Sequence, residues 1–190
     1  MSNVLVGPFA HENVARFFAL RPDADTRESV LRVRDAQCAR FGLRSPVARD
    51  CLHLTLCDGG KPARLREPYE RAMLKAGAGQ NVRTFDLVLN RLLRFHGRGG
   101  EPCLVLGVDE SSAAPLRVLR HDLAISQLFN GLVVLGVKSF SPHITLAYGA
   151  SLPALDEAIE PIIWRVSEFT LIASHQGQSR HEELARWPLA

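Results

Sequence analysis

His53-Leu54-Thr55-Leu56 and His143-Ile144-Thr145-Leu146 are two copies of one tetrapeptide pattern in a chain of 190 residues. On a β-strand, successive side chains point to opposite faces. In each copy the His and Thr therefore share one face and the two aliphatic residues share the other. The aliphatic face can bury itself in a core, while the opposite face presents an imidazole and a hydroxyl to a surface or cleft. A chain that does this twice is expected to bring two imidazoles together.

Working outward from the copies, Val14 to Leu20 is a mostly apolar run ended by Arg21-Pro22 and reads as a buried strand. Asp25-Thr26-Arg27-Glu28 reads as a helix start, with Asp25 capping free amides and Glu28 reaching back. Val30, Val33, Gln37 and Phe41 then lie at helical spacing, which predicts a helix of about fifteen residues stopped by Gly42. Leu52 to Leu56 is the first motif strand, ended by Asp58-Gly59-Gly60. Pro62 to Lys75 is helical in composition and closed by Gly77 and Gly79. Phe85 to Leu93 and Cys103 to Val108 read as strands about a turn at 96–100. Pro115 suits the start of a helix carrying Leu116, Leu119, Leu123 and Gln127 or Leu128 on one side. Residues 132–137 are either strand or apolar connection. Pro142 to Tyr148 is the second motif strand, Ile162 to Ile172 a long strand, and Leu184 to Trp187 a short terminal one. Residues 1–13 read as a loose lead-in.

This order repeats approximately. A second echo supports the repeat: Phe85-Asp86-Leu87-Val88-Leu89 follows the first motif and Phe169-Thr170-Leu171-Ile172-Ala173 follows the second. The expectation is an α+β, two-lobed duplicated fold. Antiparallel sheets would face a central cleft with helices on the outer faces, and residues 1–190 would form a single bilobal domain.

Composition narrows the function classes. The chain is 46% hydrophobic, enough for a sizeable core, and its 23 Lys and Arg against 20 Asp and Glu give a net charge of +3. A dedicated duplex binder is usually far more basic, though a phosphate-bearing ligand is permitted. Cys38, Cys51, Cys57 and Cys103 form no CxxC pair, which argues against zinc-ribbon or redox motifs. The first twenty residues do not read as a secretion signal, and no run approaches the roughly 18 apolar residues of a membrane span. A cytoplasmic protein with reduced thiols, no membrane association and a monomeric state is expected.

Two imidazoles facing one cleft suit paired acid–base chemistry, because histidine titrates near neutral pH and one ring can accept a proton while the other donates one. Threonine hydroxyls beside them can hold the non-bridging oxygens of a phosphate. The donor set does not suit a hydrolytic zinc site, which usually adds a carboxylate or thiolate. The expectation is no metal and no cofactor.

At this point the sequence resembles the 2H phosphoesterases, in particular the 2′-5′ RNA ligase-like (LigT-like) RNA cyclic phosphodiesterases. Their hallmark of two His-x-Thr/Ser-x motifs is matched by His53/Thr55 and His143/Thr145. Arg16-Phe17-Phe18-Ala19-Leu20 with Pro22 resembles the family's opening strand, and Phe140-Ser141-Pro142-His143-Ile144-Thr145-Leu146 its second motif with flanks. Trp164 to Ile172 and Leu184-Ala185-Arg186-Trp187-Pro188-Leu189 resemble its closing strands. The resemblance implies metal-independent opening of RNA 2′,3′-cyclic phosphate ends to 2′-phosphates, with possible 2′-5′ ligation. One His would activate water, the other would protonate the departing 3′-oxygen, and Thr55 and Thr145 would orient the phosphate. The working assignment is His53 as acid and His143 as base, with the near-symmetry of the motifs leaving the reverse open. Partners would be RNA ends or small cyclic-phosphate nucleotides. Two alternatives stand beside this reading: a small-nucleotide cyclic or 2′-5′ phosphodiesterase, and a non-catalytic RNA-end binder.

The sequence departs from the family pattern after each motif. Cys57-Asp58-Gly59-Gly60 follows the first, where many relatives have an apolar residue, Phe, Leu and Gly. Ala147-Tyr148 follows the second, where many carry an Arg that would serve the phosphate. Tyr148 either touches substrate or caps the sheet end, depending on whether the strand continues regularly. Phe18 either stacks on a base or joins the core. The polar run from His175 to His181 either overhangs the cleft or forms a surface loop. His96 with Arg94 and Arg98 either meets an RNA backbone or is a solvated hairpin. Trp164 and Trp187 read as packing residues, and His11 and His121 as incidental.

Overall fold

The computed structural model describes residues 14–62, 68–97, 100–134, 136, 139–175 and 177–190. The lead-in read over residues 1–13, His11 and Arg98 lie outside them.

Strand β1 (Val14–Leu20) is the apolar run read from the sequence. Pro22 has no amide to continue a ladder, and helix α1 (Ala24–Phe41) begins two residues later. Its cap is Asp23, whose carboxylate accepts from the Thr26 amide at 2.9 Å and from the Thr26 hydroxyl at 2.8 Å. Asp25, the expected cap, sits in the first turn. An N-cap side chain reaches the amide three residues on, and Asp23 is the acid at that distance from Thr26. Glu28 does not reach back; it pairs with Arg49. Gly42 closes the helix with φ 65°, the left-handed conformation that glycine adopts without a Cβ penalty.

The remaining elements are β2 (Ser45–Pro46), β3 (Leu54–Asp58), β4 (Lys61–Pro62), α2 (Tyr69–Gly77), β5 (Phe85–His96), β6 (Pro102–Val108), α3 (Ala114–Phe129), β7 (Leu132–Val133), β8 (His143–Tyr148), β9 (Asp156–Val166), β10 (Glu168–His175) and β11 (Arg180–Pro188). Further expectations need correction. The short terminal strand read over Leu184 to Trp187 is the nine-residue β11. The helix read from Pro62 begins at Tyr69, while Pro62 pairs with Leu132 across the small β4–β7 ladder. The single long strand read over Ile162 to Ile172 is two strands that break at Ser167. Strand-forming residues stand on both sides of the break, so composition alone does not reveal it.

The break has a topological meaning. The main sheet runs β11-β10-β1-β3-β8-β6-β5-β9, antiparallel throughout, with β2 added beside β8. From each edge inward, four strands form one half, and the two motif strands β3 and β8 meet in the middle. At Ser167 the chain leaves β9 in one half and enters β10 in the other. The seam between the halves is one backbone pair, Leu54↔Ile144, whereas β1 pairs with β3 at four positions and β6 with β8 at five. Helix α1 follows β1 yet packs on β8 and β9; α3 follows β6 yet packs on β3. Each half thus lends its crossover helix to the other. Phe18, Leu20, Leu54, Leu56, Leu87, Leu104, Ile144 and Leu146 are fully buried, and burying each such side chain is worth roughly 1.5–3 kcal/mol.

Candidate active site

The motif strands bury the sides that alternation predicts. Leu54 and Leu56 on β3, and Ile144 and Leu146 on β8, are fully buried, while Thr55 is exposed and Thr145 half-buried. Just past each Thr, both strands break register at the same point. Phe18 opposes Cys57 and Ala19 opposes Thr55, which skips Leu56. Leu104 opposes Ala147 and Val105 opposes Thr145, which skips Leu146. Each is a β-bulge with one extra residue. The skipped carbonyls find other donors: Leu56 O accepts from Arg120 Nη1 at 3.1 Å, and Leu146 O from the Val47 amide at 2.8 Å. Regular alternation would send Tyr148 to the core face. The bulge returns it to the face of His143 and Thr145, where it is 37% exposed and its hydroxyl bonds with Thr145.

The two imidazoles are held alike. His53 immediately precedes β3 with Nδ1 2.7 Å from the Cys51 carbonyl, and His143 is the first residue of β8 with Nδ1 2.7 Å from the Ser141 carbonyl. A carbonyl only accepts, so each Nδ1 carries the proton and donates it. In the neutral ring, Nε2 is then left with its lone pair. Each ring also has an aromatic neighbour with centroids 4.9 Å apart, Phe17 for His53 and Phe95 for His143. A third imidazole, His181 on β11, lies edge-on to His53 at 5.0 Å and to Phe17 at 5.7 Å.

All three rings are hard to charge. Burial is the main cause of the lowered pKa of His53, and the charges of His143 and Arg21 add to it against the Cys51 hydrogen bond. Burial also lowers His143, opposed by its bond to Ser141. His181 is pushed down to about 4, first by burial and then by His53 and Arg21.

A cleft of about 500 Å³ opens on this face, within the size range of small-molecule sites. His53, Thr55, Thr145 and Tyr148 line it, with β2 and Cys51 on one side and the β10–β11 hairpin, including His175 and His181, on the other. Gly177, Ser179, Arg180 and His181 of the polar run therefore form a wall of the cleft. The Cys51 thiol anchors this hairpin by donating to the Ser179 carbonyl at 3.1 Å, and Ser179 takes φ 48°, a conformation uncommon outside glycine. Among the described residues, no group of three or more His, Cys, Asp and Glu side chains is arranged to hold a metal ion. No described helix is long and apolar enough to cross a membrane.

Phe18, read as a candidate for base stacking, is instead fully buried, 5.8 Å from the Trp187 ring and 6.2 Å from Phe169. Its neighbour Phe17 takes the cleft side. Trp164 and Trp187 pack as expected, the latter stacked on Phe169 at 5.1 Å, and His121 pairs with Asp122 at the surface. The sequence alone does not single out Phe17 or Cys51, and it marks His181 only as the end of a polar run that either overhangs the cleft or forms a surface loop. The signal for Phe17 was available, because alternation back from the apolar Leu20 puts Phe18 inward and Phe17 outward.

A family model described as the 2′-5′ RNA ligase superfamily matches residues 21–178. A crystal structure of a phosphoesterase is 30% identical, with a TM-score of 0.71, covering 93% of this chain and 98% of that one. E. coli LigT complexed with phosphate is 28% identical, with a TM-score of 0.69 over 94% of this chain and 99% of LigT. TT0787 of Thermus thermophilus shares the fold at 20% identity, with a TM-score of 0.71 over 92% of this chain and 97% of that one. No curated protein matches the chain significantly.

Proposed function

The chain belongs to the 2′-5′ RNA ligase superfamily of 2H phosphoesterases, and from that premise we propose that it opens RNA 2′,3′-cyclic phosphate ends to 2′-phosphates by paired-histidine catalysis. The observation that carries this reading is the mirrored pair: two imidazoles on the two central strands, each tethered through Nδ1 at 2.7 Å and each two residues before a threonine. E. coli LigT is seen with phosphate and with 3′-AMP, which supports a phosphate of a nucleotide as the group bound here.

In the proposed step, a water oxygen attacks phosphorus and gives its proton to Nε2 of the base histidine. The bond from phosphorus to O3′ breaks, and O3′ takes a proton from Nε2 of the acid histidine. The product is a 2′-phosphate with a free 3′-hydroxyl, and solvent resets both protons. Thr55 and Thr145 donate to the non-bridging oxygens and hold the phosphate between the rings. Besides burial, the charges of His143 and Arg21 hold His53 neutral, whereas burial is the cause that lowers His143. This favours His53 as the neutral base and His143 as the charged acid, the reverse of the working assignment from sequence. A substrate with an activated leaving group separates the two, because it rescues the variant lacking the acid and not the one lacking the base.

The cleft's volume of about 500 Å³ also accommodates a small cyclic-phosphate nucleotide, so this second reading is tested alongside. Purified protein in EDTA meets 2′,3′-cyclic AMP and a short RNA ending in a 2′,3′-cyclic phosphate, with a His53→Ala/His143→Ala variant as control. Conversion by wild type alone establishes the reaction and its dependence on the pair, and relative rates identify the preferred substrate. Binding of the RNA end without turnover assigns a binder. Absence of both defeats the proposal.

A further inference from the structure

Helix α3 packs its face of Leu116, Leu119, Arg120, Leu123, Ala124 and Gln127 inward. Two of these six are polar, and both reach the backbone of the first motif strand. Arg120 Nη1 donates to Leu56 O at 3.1 Å, and Gln127 Nε2 donates to Asp58 O at 2.8 Å. Arg120 also reaches the other motif. Its Nη2 donates to Gly136 O at 2.8 Å, and its guanidinium lies 4.2 Å over the Phe140 ring. Phe140 precedes Ser141, whose carbonyl holds His143 Nδ1.

Arg120 is 9% exposed, and neither of these hydrogen bonds goes to a carboxylate. Burying a guanidinium is costly unless its donors are satisfied. Its planar fork suits two carbonyls at once, which an ammonium on a flexible stem does not. The arrangement matters because the ladder leaves the two motif strands nearly unattached, with the one pair Leu54↔Ile144 at the seam. One pair does not fix how far the two imidazoles stand from a shared phosphate.

We propose that Arg120 is a positioning residue that couples the two halves of the active site, tying the bulge carbonyl after Thr55 to the segment that delivers His143. It touches neither substrate nor reacting atoms and acts through Leu56 O, Gly136 O and the Phe140 ring. The inference rests on His53 and His143 being the reacting pair, and it adds how their separation is set.

The test compares Arg120→Lys, Arg120→Met and Gln127→Leu. Gln127→Leu removes bonds to Asp58 O on β3 and to Met73 Sδ on α2, neither of which reaches the second motif, and it serves as the control for lost stability. The expected result is a kcat lower by about 10²-fold in Arg120→Met, the cost of roughly 1 Å of misplacement. KM should change little, Arg120→Lys should recover only part of the loss, and Gln127→Leu should melt earlier with kcat unchanged. A second readout needs no turnover. In ligand-free protein, the Nδ1–H protons of His53 and His143 give separate downfield NMR signals, and Arg120→Lys should broaden or shift that of His143 while sparing His53. If both signals stay unchanged in Arg120→Lys, or if Gln127→Leu loses as much kcat as Arg120→Met, the coupling role is overturned. If wild type shows no turnover, the catalytic reading fails and the NMR comparison alone decides whether Arg120 positions His143. Should Arg120→Met not fold, Arg120→Lys and the NMR signals carry the same decision.

Discussion

At the scale of single residues, the site works by making imidazolium expensive. His53 and His143 are both lowered, burial being the first cause for each. On the proposed mechanism the base must be neutral and the acid charged in the free protein, so both limbs of the kcat/KM profile move to the acid side. The expected optimum of kcat/KM lies below about pH 6.5, the ordinary value for histidine. A bound phosphate anion favours the charged acid, so the kcat profile should lie at higher pH than that of kcat/KM. A pH–rate study on 2′,3′-cyclic AMP checks both, and an optimum above neutral pH would contradict the electrostatics. Replacing either histidine by Asn should lower kcat by about 10²–10⁴-fold, the usual worth of general acid–base catalysis. His181 carries a stability signature. Folded, it holds its proton only below about pH 4, whereas unfolded histidine binds one below about 6.5. The unfolded state therefore takes up more protons between these values, and stability is lost as pH falls through that window. Urea melts at neutral pH and near pH 4.5 should show less of this loss in His181→Phe than in wild type. His53 and His143, the proposed reacting pair, were legible because His-x-Thr occurs twice. His181 was not, because its imidazole reaches His53 only through the pairing of β11 with β10, which no local pattern encodes.

At the scale of elements, the positions of β1, β3, β5, β6 and β8 and the helix starting near Pro115 could be read from periodicity, and the errors have specific physical causes. Sequence alone points to Asp25 as the cap of α1, two residues late, because two acids precede Thr26 and Asp25 is the nearer one. Asp23 accepts two hydrogen bonds from Thr26, so Asp23→Ala should cost about 1 kcal/mol in a urea melt. Asp25→Ala, without that bond, should cost clearly less, and equal costs would contradict the cap. The bulges at Leu56 and Leu146 were equally hidden, since a skipped register position is a property of two strands together. Their effect on the site is concrete, because the second bulge turns Tyr148 toward the cleft. Another constraint invisible in sequence sits in α2. A Cβ at Gly77 would lie 2.4 Å from the Trp187 ring, far inside contact distance. Gly77→Ala should therefore destabilise by about 1–3 kcal/mol through overpacking and leave kcat unchanged, because α2 lies away from the cleft lining.

At the scale of the whole molecule, the question is whether two four-stranded halves joined by one backbone pair behave as one body. The seam alone argues for separation, because a single pair of residues contributes little against the entropy of holding two halves in register. Three features oppose it. Helix α1 leaves the first half to cover β8 and β9, and α3 leaves the second to cover β3. The chain crosses at Ser167, where the Leu189 amide donates to the Ser167 carbonyl at 2.8 Å and ties the C-terminus to the crossing. The buried apolar residues of both halves form one cluster, in which Leu54, Ile144, Leu116 and Val30 all take part. Unfolding one half would strip a helix from the other and expose its core, so the halves should lose structure together. Nature supplies one reporter in each half: Trp164 on β9 and Trp187 on β11. Labelling with 5-fluorotryptophan gives two ¹⁹F signals without any substitution, and the two urea transitions should coincide in midpoint and slope. Separated transitions would mean that the exchanged helices do not bind the halves together, and the cleft would then have to be treated as the junction of two independently stable units. Coincidence would mean that the exchanged helices and the shared core hold the two halves, and with them the two motif strands, as one cooperative unit.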